Sequence, residues 1–248
     1  MISHEDLGGV AVLQLQHGKA NALDLQLLRA LADEIDSLPV GTRALILTAA
    51  NRMFSAGIDL PTLLEAGSEY TIELIDALNG LLEKFIDLSI PSVAAINGHA
   101  IAGGFILACA CDVRLMAAGR GKLGLTEHLL GVPFPPLALE VVRAAVGDQG
   151  ARRMALFGEL FSVSQAEELG LVDELVEPEA LMGRAVKIAE RLGAVPESAF
   201  QLTKRQLMVP LRMRLAHLGD RHEQAARQVW VTEETSQAMR RFVRERLG

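Results

Sequence analysis

The sequence predicts an α/β fold, with helices covering buried strands. Three observations carry that prediction: short apolar runs alternate with helix-period segments as far as about Leu130, no hairpin signal interrupts them, and the remainder of the chain turns mainly helical after Gly131. Val10 to Gln16 alternates apolar and polar residues and reads as a strand. Leu23, Leu27, Leu28, Leu31, Ile35 and Leu38 recur at helical spacing and are closed off by Pro39. Arg43 to Thr48 contains the run Ala44-Leu45-Ile46-Leu47, a buried strand. Ile72, Ile75, Leu78, Leu82, Phe85 and Ile86 mark a second amphipathic helix, ending before Pro91. Ser92 to Ile96 is another buried strand, Gly103 and Gly104 open an apolar helix, and Val113 to Met116 is strand-like again. Farther on, Ser164 and Glu167 form a capping-box pattern, with Gly170 as the stop. Ala180–Leu192, Ser198–Met208 and Leu211–Leu247 are helical by composition and spacing. A soft boundary near residue 190 divides the chain into residues 1–190 and residues 191–248.

Composition narrows the function. At 248 residues, 50% hydrophobic and 22% charged, the chain is long enough for one large packed domain and is not a disordered polymer. Aromatic residues make up only 4%, so the core must be aliphatic. A mean hydropathy of +0.26 points to apolar surface buried between subunits. The net charge of −7 argues against a duplex nucleic-acid partner, which needs a broad basic face. No apolar stretch reaches the roughly 18–20 residues of a membrane span. The polar, acidic start from Met1 to Gly9 does not read as a signal peptide. Cys109 and Cys111 lie too close for an ordinary disulfide and are read as reduced core residues of a cytoplasmic protein. Neither they nor any other pattern suggests a metal site.

Three segments have the residue types that chemistry needs. Phe54-Ser55-Ala56-Gly57-Ile58-Asp59-Leu60 follows a strand. It is either a tight turn into a helix or a place where backbone approaches a ligand. Ile96 to Gly104 joins a strand to a helix through small residues. Read alone it is helix packing through glycine, but an unpaired N–H at Gly103 would also face a ligand oxygen without an intervening side chain. Nothing in it matches a phosphate-gripping or dinucleotide loop. In Gly124 to Pro133, Glu127 is a lone carboxylate beside leucines. It is a solvated surface residue or, if buried, a base with a raised pKa.

Among the remaining polar residues, His99 reads as packing in its turn and His128 as pointing away from Glu127. Asp59 reads as a helix cap, Lys204 as a solvated helix charge or a phosphate contact, and Arg114 as an ion-pair partner of Asp112.

Taken together and in order, the three segments resemble the crotonase superfamily, the enoyl-CoA hydratase/isomerase family. Lys19-Ala20-Asn21-Ala22-Leu23, Cys111-Asp112-Val113-Arg114 and Ala166 to Val172 agree with it as well. The resemblance implies a spiral of ββα turns and a C-terminal helical trimerisation region, giving homotrimers or dimers of trimers. It implies an acyl-CoA thioester as substrate and no separate cofactor, CoA being carried by the substrate. By residue match, the N–H groups of Ile58 and Gly103 form an oxyanion hole and Glu127 is the catalytic glutamate, acting as base. Lys19, Ala20, Ala56, Gly57, Asp59 and Leu60 lie along the thioester.

Family hydratases carry a second glutamate where this chain has Ile106, which places it nearest the single-glutamate Δ3,Δ2-enoyl-CoA isomerases. A hydratase, another crotonase-type lyase or hydrolase, and a non-catalytic acyl-CoA-binding member are the alternatives. The bulky Phe134-Pro135-Pro136, standing where many hydratases have a glycine-rich turn, is expected to shape the acyl pocket.

Overall fold

The computed structural model describes residues 1–246. One sheet runs in the order β1 (Ile2–Asp6), β2 (Val10–Leu15), β3 (Ala44–Ala49), β5 (Ser92–Ile96), β7 (Val113–Ala117), β10 (Glu174–Val176). The second runs β4 (Met53–Ser55), β6 (His99–Ile101), β8 (Lys122–Gly124), β9 (Leu160–Ser162). From β2 to β10 the large sheet is parallel. Such a ladder needs crossover connections, and the helices supply them.

Each turn of the chain lays down a long buried strand, then a three-residue strand, then a helix. The first such turn is β3, β4, then α2 (Leu60–Ala66) and α3 (Ser68–Asp87). The second is β5, β6, α4 (Gly103–Ala110). The third is β7, β8, a 3-10 turn at Glu127–Leu130, and α5 (Pro136–Phe157). This is the spiral of ββα turns that the sequence resemblance implies. The inner strands β2, β3 and β5 carry mainly Ala, Leu, Ile and Val on both faces because both faces are covered. On one side lie α1 (Leu25–Asp36), α3, α4 and α5. On the other, α7 (Leu181–Gly193) packs Leu181, Ala185, Ile188 and Ala189 against Val12, Ile46, Val93 and Leu115.

The structure departs from the sequence reading at several places. A hairpin does occur: β1 pairs antiparallel with β2 around Gly8 and Gly9, whose φ values of 69° and 92° suit the turn. The strand-to-helix alternation masked it because β1 is polar and mostly exposed. The capping box belongs to Ser162 and Gln165, at the start of α6 (Val163–Glu168), not to Ser164 and Glu167. The C-terminal helices are α8 (Glu197–Trp230), which contains Pro210 and breaks direction at Gly219, and α9 (Glu233–Arg246); Leu247 lies outside the described residues. Arg114 pairs with Asp173 (2.9 Å) rather than Asp112.

Asp112 instead accepts from Lys204, which is buried, not solvated. The Lys204 ammonium donates to the Phe85 carbonyl (2.9 Å) and to the Asp112 carboxylate (3.1 Å). Asp112 also accepts from the Ser92 N–H and hydroxyl, so one carboxylate ties α8 to the sheet. Removing one partner of a buried pair strands the other charge, at about 3–5 kcal/mol. Lys204→Met is therefore expected to lower stability by several kcal/mol in urea unfolding, and an exposed-lysine control such as Lys187→Met by far less.

Candidate active site

Two loops meet beside Leu23. After β4 the chain turns through Ala56, Gly57 and Ile58. Leu23 bridges this segment in parallel fashion, its N–H donating to the Gly57 carbonyl (2.8 Å) and its carbonyl accepting from the Asp59 N–H (3.0 Å). That pairing uses the groups flanking Ile58 and leaves the Ile58 N–H facing the other way. After β6 the chain turns at Ala102, with φ 51° and ψ −126°, a conformation L-residues seldom hold. Gly103 then opens α4, so helix geometry gives its N–H no partner.

Among the described residues, neither the Ile58 nor the Gly103 N–H is paired with a protein acceptor. The two loops also touch. A Cβ placed on Gly57 would lie 2.8 Å from the Ala102 Cβ, 2.9 Å from the Ile101 carbonyl and 3.1 Å from the Gly103 nitrogen; one placed on Gly103 would lie 3.9 Å from the Ile58 nitrogen. Glycine at 57 is thus a condition of the approach, whereas an added Cβ on Gly103 would press only on the Leu23 Cδ1, 3.0 Å away. Two unpaired donors are adjacent, one of them at the positive end of a helix.

Residues that sequence reasoning passed over hold this arrangement. Ser55 donates to the Asn21 carbonyl (2.7 Å) and accepts from the Gly57 N–H (3.2 Å). Asn21 is buried with φ 46°, a conformation asparagine tolerates, and its amide donates to the Met53 carbonyl (2.9 Å). Gly104 packs so closely on Ser55 that a Cβ there would lie 2.5 Å from the Ser55 carbonyl. Polar residues flanking small ones were the only sequence trace of this support.

Glu127 begins the 3-10 turn and is 5% exposed. Burial pushes its carboxyl from the ordinary 4.5 up to about 7, although hydrogen bonding from the backbone at Glu127 and Thr126 offsets part of the rise. Its Oε2 is buried without a hydrogen-bond partner. Unpaired buried polar atoms are rare and call for an explanation.

A single apolar cavity of about 440 Å³ brings these groups together. Ala20, Ala56, Ile58, Asp59, Leu60, Gly103 and Glu127 all line it, and so does Ile106. Asp59 at the same time caps α2, accepting from the Thr62 N–H (3.0 Å). Gly57 stands in the turn behind the lining, and Lys19 is exposed outside it. Of Phe134-Pro135-Pro136, only Pro135 reaches the cavity; Phe134 packs toward His128, and Pro136 starts α5. His128 is exposed and sits 3.2 Å from the Leu156 carbonyl, away from the cavity. Cys109 and Cys111 are buried free thiols pushed up to about 12, which leaves them protonated and unreactive. Among the described residues there is no cluster suited to a metal ion and no helix long and apolar enough to cross a membrane.

Comparison with known proteins bears on the family and the fold. A family model described as enoyl-CoA hydratase/isomerase matches residues 5–247. The mitochondrial enoyl-CoA delta isomerase 1 of Mus musculus is 31% identical over 211 residues, covering 84% of this chain and 73% of that protein. The enoyl-CoA isomerase/hydratase fer4 of Mycosarcoma maydis is 30% identical over 174 residues, covering 70% of this chain and 64% of that protein. The crystal structure of human mitochondrial delta3-delta2-enoyl-CoA isomerase superposes with a TM-score of 0.92 at 26% identity, over 98% of this chain and 97% of that one. Sequence, spiral fold and the extent of the match therefore agree that this chain belongs to the enoyl-CoA hydratase/isomerase family.

Proposed function

We propose that the chain is a Δ3,Δ2-enoyl-CoA isomerase working with one carboxylate. The observation that carries this reading is a buried acid, Glu127, in the same apolar cavity as two unpaired amides, with isoleucine at 106 and the other carboxylate of the lining, Asp59, engaged in capping α2. The Ile58 and Gly103 N–H groups would donate to the thioester oxygen as an oxyanion hole. Ala20, Ala56, Asp59 and Leu60 would flank the thioester, and Lys19 would meet the CoA phosphates outside.

Ionised Glu127 takes a proton from C2 of a 3-enoyl-CoA. The C2–H pair spreads over the thioester oxygen and C4, and the two fixed donors stabilise that dienolate by about 3–4 kcal/mol each. The same carboxyl then protonates C4, leaving the double bond between C2 and C3. No atom is gained or lost, so one base suffices. Hydration would need a second group to hold or activate water, and the aliphatic Ile106, 2% exposed, does neither. Its presence also keeps water from the dienolate.

Incubation with a 3-enoyl-CoA should give the conjugated 2-enoyl-CoA, read by chromatography. Rapid formation of a 3-hydroxyacyl-CoA from 2-enoyl-CoA would favour a hydratase instead. Because the base must be ionised, kcat/KM should rise with pH through about 7 and level off above. A pH profile flat across that window would remove Glu127 from the role.

Residues 191–248 are proposed as the trimerisation region, supported by Leu202, Leu207 and Met213, which α8 leaves 60–68% exposed. Sedimentation should give the mass of three chains or six; a monomer at micromolar concentration would refute it.

A further inference from the structure

Resting on the acyl-CoA reading above, we propose that Trp230 is the residue that ends the acyl channel and sets the chain length this enzyme accepts. The residues lining the cavity fall into two sets. Ala20, Ala22, Met53 and Ala56 form one, next to exposed Lys19 and the two free amides. The other gathers around Glu127, Leu130 and Pro135. There the segment after the 3-10 turn folds back, Val132 N–H donating to the Glu127 carbonyl (3.2 Å). Trp230, the last residue of α8, lines the cavity with this second set and is bonded to the same segment. It is 3% exposed, and its indole N–H donates to the Pro133 carbonyl (2.8 Å). Carbons of a thioester beyond C4 must pass Glu127 and then meet this ring.

The hydrogen bond decides why Trp230, rather than an aliphatic neighbour, is the limit. Leu78 and Leu130 are held by packing alone, with no hydrogen bond to fix the side chain. A tryptophan whose N–H is tied to backbone cannot swing aside without stranding a buried donor and a buried acceptor. Each further methylene that fits should tighten binding about fourfold. The first that meets the ring should gain nothing.

Binding of saturated butanoyl-, octanoyl-, dodecanoyl- and hexadecanoyl-CoA, measured by calorimetry, tests this without requiring turnover. In the parent protein affinity should rise with length and then stop rising or fall before hexadecanoyl. Trp230→Leu should move that break to longer chains and raise the hexadecanoyl-to-octanoyl affinity ratio at least tenfold. Trp230→Phe, which keeps the ring but frees it from Pro133, should move the break by less. This second variant preserves the test if the first folds poorly. Identical length profiles in parent and both variants would overturn the proposal, as would affinity rising unbroken through hexadecanoyl in the parent. Isomerisation is scored separately with a 3-enoyl-CoA: a length break with no double-bond shift would sink the isomerase reading alone. No binding of any thioester would sink both.

Discussion

Glu127→Gln is expected to lower kcat for double-bond migration by about 10²–10⁴-fold, while saturated acyl-CoA binds nearly as before. Glutamine keeps the volume and polarity of the side chain but cannot take a proton. The same substitution should make the protein more stable. In the unfolded chain the carboxyl titrates near its ordinary 4.5, and in the fold near 7. Between those values the native state holds the extra proton, so the parent loses stability as pH rises through the window and carries the full penalty above about 7. Glutamine has no such penalty. Its denaturant midpoint should exceed the parent's above pH 7, with the gap closing toward pH 4.5. Loss of activity together with gained stability is what a strained functional group predicts. A variant that lost both would indicate that Glu127 holds the fold together instead.

Gly57→Ala should be nearly as damaging to activity, for a geometric reason. At φ 85° a side chain is strained, by about 1–2 kcal/mol, and the added Cβ would overlap Ala102 and the Ile101 carbonyl. Overpacking of this kind costs about 1–3 kcal/mol more. Relief can come only by moving the two loops apart, which separates the Ile58 and Gly103 amides. Loss of one donor to a developing oxyanion costs about 10²–10³ in kcat, so a fall of that size is expected. Gly8→Ala is the control: Gly8 also has positive φ (69°), but a Cβ there meets nothing within 4 Å. It should share the backbone strain and leave kcat unchanged. Equal activity losses in the two variants would mean that the Gly57 contact has no bearing on the site.

Much of the architecture was legible because burial on both faces writes a strong pattern. Ser92–Ile96 was readable to the residue, and Leu25–Asp36 follows from its leucine spacing. The short strands β4, β6 and β8 were not, since three residues among glycines have no period to detect. Helices α5 and α8 were blurred differently: each is interrupted at a glycine with non-helical dihedrals, Gly147 (φ 76°, ψ 169°) and Gly219 (φ 61°, ψ −178°), with helix on both sides.

The site divided along the same physical line. Glu127, Gly57 and Gly103 stand out as residue types and were placed through the resemblance as a set. Whether Glu127 was buried could not be read from its neighbours, because exposed Leu129 and buried Leu130 look alike in sequence. Lys204 misled for a related reason. Its partner Asp112 is 92 positions away, and only the fold makes a charged helix residue an interior one. Trp230 was invisible, since its distance from Glu127 in the chain gives no hint that it closes the same cavity.

The account stands on one carboxyl group carrying a proton between two carbons of a substrate held by two amides. A 3-enoyl-CoA bearing two deuterium atoms at C2 tests it most directly, with products followed by mass spectrometry and NMR from the earliest turnovers. The account predicts a 2-enoyl-CoA that keeps one deuterium at C2 and carries the other at C4, since the carboxyl that takes the deuteron is only 5% exposed and hands it back to the same substrate. A 3-hydroxyacyl product, or a 2-enoyl product whose C4 holds only solvent hydrogen from the first turnover, would contradict it.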